Sequence, residues 1–83
     1  MKQQDAMDRA AKMMIMPIRD LPALAVDYMV AMCNKYSGCG DVMLAALSHY
    51  VQLEEGLPCK DKCYHPCPED VQMFEDLKKN LQS

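Results

Sequence analysis

Three cysteines and a histidine fall within residues 59–67, in the run Cys59-Lys60-Asp61-Lys62-Cys63-Tyr64-His65-Pro66-Cys67-Pro68. Thiolate and imidazole are the ligands zinc prefers, so the chemistry this stretch could do first is to hold a metal. Both His65 and Cys67 precede prolines, which excludes the α region for each and keeps the segment extended. In an extended run alternate side chains share a face, which places Cys63, His65 and Cys67 together and turns Tyr64 and Pro66 away. On a straight strand those three would span about 13 Å, too far for one ion, so the segment must curve. A turn through Lys60, Asp61 and Lys62 then returns Cys59 towards Cys63. The set expected is Cys59, Cys63, His65 and Cys67 around one structural zinc, with four protein ligands and no open position for an activated water.

Two other readings stay open for the same residues. They are plain reduced thiols, or a thiol-redox or metal-handling group formed by Cys59, Cys63 and Cys67. Cys67 stands where a helix is expected to begin, a position that activates thiols. Against the redox reading, no C-x-x-C pair is present. Five cysteines is an odd number, which fits reduced or metal-bound thiols better than a closed disulfide framework. Cys33 and Cys39 are expected at the far end of a helix of about 15 residues, some 22 Å away, and are not expected to join the cluster.

The rest of the chain offers little catalytic chemistry. His49 has Ala45 and Leu53 at the neighbouring helical positions and no carboxylate, so a packed or partly solvated histidine is expected rather than a catalytic base. A Cys39–His49 pair would be nearly three helical turns apart. No phosphate-binding glycine loop is present. A non-enzymatic role is therefore expected.

The elements that must position the cluster are helices. The pattern predicts an all-α domain spanning residues 1–83, with helices at 3–16, 20–36, 41–55 and 68–81 and the Cys/His-rich loop before the last. Ala6, Met7, Ala10, Ala11, Met13 and Met14 form the apolar stripe of the first helix, which Pro17 ends. Asp20 is expected to cap the second, with Leu21 and Pro22 in its first turn, and Gly38 to close it in the left-handed conformation. That helix is apolar nearly all round from Leu24 to Cys33, so it must be covered all round. Asp41 is expected to cap the third helix, whose polar line is Asp41, Ser48, Gln52 and Glu55 and whose end is marked by Gly56 and Pro58. Lys60 and Lys62 are the expected partners for Glu54 and Glu55 at its negative end. Pro68 suits the first position of the fourth helix, with Val71, Met73, Phe74, Leu77 and Leu81 facing inward. Short connections favour an antiparallel array with the second and third helices as its central hairpin.

Composition narrows the function classes. Net charge is −3 and no basic block exceeds Lys78-Lys79, which argues against nucleic acid. The longest apolar window, residues 21–33, falls short of the ~20 needed to span a bilayer. The opening residues do not read as a secretory signal, and a cytoplasmic location is expected. Nine methionines with no tryptophan point to an adaptable core. The apolar second helix is hard to bury within 83 residues, so self-association or docking on a protein partner through helices 1 to 3 is expected. The function that follows is an interaction module, an adaptor or an inhibitor of a larger machine, with a structural zinc in loop 59–67.

Overall fold

The structure is a computed structural model, and it describes residues 5–38, 40–59 and 64–82. Among these residues there are helices and no strand: α1 (Ala6–Met14), α2 (Ala23–Tyr36), α3 (Gly40–Tyr50) and α4 (Pro68–Gln82). Helix α3 lies between α1 and α2, and α4 packs on α2, so the expected α2–α3 hairpin is the centre of the bundle.

Helix α1 starts because Asp5 is extended (φ −97°, ψ 167°) and its Oδ1 accepts the Asp8 N–H at 2.9 Å, satisfying one of the donors a helix start leaves unpaired. A second donor, the Ala6 N–H, reaches the Pro58 carbonyl at 3.0 Å. Ala6, Ala10 and Met13 are buried on one face, and the two alanines leave the backbone room to approach α3. The helix stops at Met14, two residues short of the expected limit. Pro17 keeps Met16 from continuing in the α conformation, and the Ile15 and Met16 amides close the end on the carbonyls of Lys12 and Met13.

Helix α2 does not begin as expected. Residues Ile18–Asp20 form a separate 3-10 turn, Leu21 is extended (φ −85°, ψ 148°), and Pro22 occupies the N-cap. Leu21 precedes a proline and is thereby kept out of the helix, so Asp20 cannot cap it. The other end also differs, because Ser37 rather than Gly38 is left-handed (φ 51°, ψ 40°). Gly38 is needed for a different reason: a Cβ there would lie 2.2 Å from Cγ2 of Val42, inside the first turn of α3. Nor is α2 covered all round. Ala25, Tyr28, Met29 and Met32 are buried, whereas Ala23, Asp27, Val30 and Asn34 form an exposed line, with Val30 51% exposed.

Helix α3 begins at Gly40, which places Asp41 inside its first turn rather than at the cap. Its second half is enclosed: residues from Ala46 to Tyr50 are all buried, Ser48 included, which removes Ser48 from the expected polar line. The chain then widens into a π-helical turn at Val51–Glu55 before Gly56 (φ 71°) stops it in the left-handed conformation. The two glutamates at this negative end find cations from other helices. Arg9 pairs with Glu55 at 3.3 Å and Lys78 with Glu54 at 3.0 Å, while the expected partners Lys60 and Lys62 lie outside the described residues.

Helix α4 begins at Pro68 as expected, with Cys67 before it accepting the Val71 N–H at 3.0 Å. Phe74 is its anchor. The ring is 1% exposed, meets Tyr28 edge-on at 5.5 Å and Tyr50 at 6.3 Å, and so ties α4 to both helices of the hairpin. Val71, Met73 and Leu77 are half-buried, but Leu81 is 48% exposed because the helix runs past the hairpin. No helix among the described residues is long and apolar enough to cross a membrane.

Candidate metal and cavity site

The loop between α3 and α4 is shaped by its attachments. Pro58 is held to α1 through the Ala6 amide, and the Gln52 side-chain amide, in the π-helical turn, donates to the Tyr64 carbonyl and to Ser48 Oγ. These anchors bring Cys59 and His65 together, with Sγ 3.5 Å from Nε2. A tetrahedral zinc with sulfur at about 2.3 Å and nitrogen at about 2.0–2.1 Å has an S···N edge of about 3.6 Å. The observed separation matches that edge, and it also suits a thiol–imidazole hydrogen bond.

The other two expected ligands are placed differently. Cys63 lies outside the described residues. Cys67 is exposed, and its thiol hydrogen-bonds Asp70 rather than joining Cys59 and His65. Among the described residues no group of three or more His, Cys, Asp or Glu side chains is gathered as a metal would need. Cys33, Cys59 and Cys67 are not in disulfides. Cys33 is on α2, and Cys39 is not among the described residues.

Asp70 joins α4 to the end of α2, and the sequence gives no sign of it. Its carboxylate is buried and accepts from Lys35 Nζ at 3.1 Å and from the Tyr36 hydroxyl at 3.0 Å. Burial alone would raise its pKa, but the hydrogen bonds from Lys35, Cys67 and Tyr36 together outweigh that and hold it below the usual carboxylate value. The same carboxylate raises the pKa of Lys35 and of Tyr36 through those hydrogen bonds, so both partners stay protonated.

Beside this network is an open cavity of about 340 Å3. Met32, Val42 and Ala45 form its apolar side, and Tyr36, Tyr64, Asp41, Asp70 and His65 also line it. His49 is also in the lining, and only 4% exposed. Its Nδ1 is 3.1 Å from the Tyr28 hydroxyl, and its Nε2 has no partner. Burial lowers the His49 pKa and the ring is neutral at pH 7, while burial, then the Asp70 charge, pushes the Tyr28 phenol well above its ordinary value.

The packed histidine was expected; its pairing with Tyr28 was not. A signal for it does exist. Tyr28 is ten residues before Gly38 and His49 ten after Cys39, so a hairpin folded at that dipeptide brings the two level, and it does the same for Met32 and Ala45.

In comparisons with protein-family models, with curated proteins and with solved structures, nothing matches this chain.

Proposed function

We propose that this chain is a small non-enzymatic interaction module, an adaptor or an inhibitor of a larger machine, whose loop 59–67 is fastened by one structural zinc ion. The observation that carries the metal is the 3.5 Å approach of Cys59 Sγ to His65 Nε2, the length of a zinc tetrahedron's edge. Cys63 supplies the third ligand. Cys67 supplies the fourth by exchanging its Asp70 hydrogen bond for the metal. Thiolate and imidazole favour zinc over calcium or magnesium, which take oxygen ligands.

Protein expressed with ample zinc is expected to carry one zinc per chain, and Cys59→Ser to lose most of it. Less than about 0.2 zinc per chain, with all five thiols open to labelling, rejects the site. A second reading rests on the same pair, because an imidazole next to a thiol can activate it; the protein would then be a thiol-redox or metal-handling protein of the cytoplasm. Labelling with and without chelator separates the two. A structural zinc protects its cysteines until it is removed, whereas a working thiol reacts either way.

The interaction role is supported by apolar side chains left open on α1, α2 and their connection: Ile15 at 86% exposed, Ile18 at 63%, and with them Met14 and Val30. Association through this surface is expected to give a dimer or larger species by light scattering at micromolar concentration. Ile15→Glu with Ile18→Glu is expected to return it to a monomer. A monomer in the unaltered chain would remove self-association and leave only docking on a different protein.

A further inference from the structure

The core between α2 and α3 holds a titratable ring that the zinc reading does not use. Tyr28 is completely buried and His49 nearly so, and one hydrogen bond of 3.1 Å joins the phenol oxygen to Nδ1. If Nδ1–H donated to the phenol, the Tyr28 hydroxyl proton and the Nε2 lone pair would both be left unmatched in the interior. If the phenol donates to Nδ1, only the Nε2–H is left over. Each unmatched buried group is costly, so the second arrangement is favoured. It puts the ring's one proton on Nε2, which is shut off from solvent and has no partner among the described residues.

A second proton cannot be accommodated in this arrangement. Both ring nitrogens then donate, so the phenol must turn to accept from Nδ1, and its own proton loses its acceptor. Two donors are left unmatched instead of one, and a full positive charge lies in the interior. The surroundings do not offset that charge. Tyr28 faces the ring from α2 as a neutral phenol, Asp70 from α4 favours the charged ring, and His65 from the loop before α4 opposes it. Asp41, on α3 itself, lines the neighbouring cavity with Tyr36 and Tyr64. Burial is the largest influence and outweighs Asp70, which already accepts from Lys35 and Tyr36, so the His49 pKa lies below its ordinary value of 6.5. An opened chain takes the proton at that ordinary value and the closed one does not. What His49 contributes to closure is therefore complete above 6.5 and is lost progressively as pH falls below it.

Tyr28 passes the loss on. Its ring makes the edge-on contact at 5.5 Å with Phe74, the anchor of α4, so a phenol forced out of its hydrogen bond disturbs the surface on which α4 rests. We propose that the Tyr28–His49 pair is an acid-released latch: closed while the imidazole is neutral, it opens when His49 takes one proton from mildly acidic solvent, and it frees α4 from the α2–α3 hairpin.

Amide deuterium exchange in α4, corrected for the intrinsic effect of pH on exchange, tests it at pH 7, 6 and 5, with the His49 ring nitrogens followed by NMR on the same 15N-labelled chain. The opening constant of α4 is expected to rise at least about threefold from pH 7 to pH 5, and no more steeply than the roughly tenfold per pH unit that one proton allows. Molecules that keep the Tyr28–Phe74 Overhauser contact are expected to keep a neutral His49 ring at pH 5.5. His49→Gln is expected to flatten the rise. His65→Gln is expected to leave it in place, which separates the latch from acid release of a zinc held by His65. The proposal is overturned if the opening constant is the same at pH 7 and pH 5, if the His49 ring titrates near 6.5 with the Tyr28–Phe74 contact intact, or if the rise survives His49→Gln and disappears in His65→Gln. Exchange and ring titration are read on the unaltered chain, so the test holds even if His49→Gln fails to fold.

Discussion

Phe74→Ala is expected to destabilise the domain by about 3–5 kcal/mol, the usual cost of removing a fully enclosed phenyl ring. A chain of 83 residues has a total stability of only about 4–12 kcal/mol, so the substitution consumes a large part of it. The reason is positional. Phe74 meets Tyr28 of α2 edge-on and Tyr50 of α3 at a tilt, so one ring fastens α4 to both halves of the hairpin. Leu81→Ala, on the same helix but half-exposed, is expected to change stability by less than about 0.5 kcal/mol. Urea unfolding followed by circular dichroism measures both. A cost below about 1 kcal/mol for Phe74→Ala would mean that α4 is not held by this contact.

Asp70→Ala is expected to cost about 2 kcal/mol at pH 7, because it removes the acceptor of charge-assisted hydrogen bonds between α4 and the end of α2. It should also change the acid profile. The folded pKa of Asp70 lies below its unfolded value near 3.8, so its contribution is complete above that value and is lost as pH falls through the folded one. The difference in stability between the unaltered chain and Asp70→Ala should accordingly be constant from pH 7 down to about 5 and shrink below 3.8. Urea midpoints at pH 7, 5 and 3 measure this. A difference that persists undiminished at pH 3 would show that the carboxylate's charge is not what joins the helices.

What could be read from the sequence was local. Pro17, Gly56 and Pro68 punctuate the chain where the helices stop or start, because each acts on its own backbone and its immediate neighbours. At the start of α2 two local rules conflict, since Asp20 is a good cap only if Leu21 can be helical, and Pro22 forbids that. Gly38 has the residue type that closes a helix, yet Ser37 takes the left-handed conformation and the glycine is instead required by Val42, a neighbour across the turn. The further a partner lies along the chain, the less the sequence announced it. Lys35 and Asp70 meet across 35 positions with no pattern to link them. Of the set expected from spacing, Cys59 and His65 approach to 3.5 Å, whereas Cys67, two positions from His65 and expected on the same face, is not gathered with them.

The bond from the Ala6 amide to the Pro58 carbonyl has a consequence for the order in which the molecule assembles. Helix α1 comes first in the chain, yet one of the donors at its start is matched by an acceptor beyond α3. Its buried face likewise rests on α3, which is made later. On a ribosome, then, the leading helix must wait: the α2–α3 hairpin can close from neighbouring residues, and α1 docks only once Pro58 has emerged. A nascent chain arrested before residue 58 should leave the α1 amides open to solvent deuterium, and one arrested well after α4 should not.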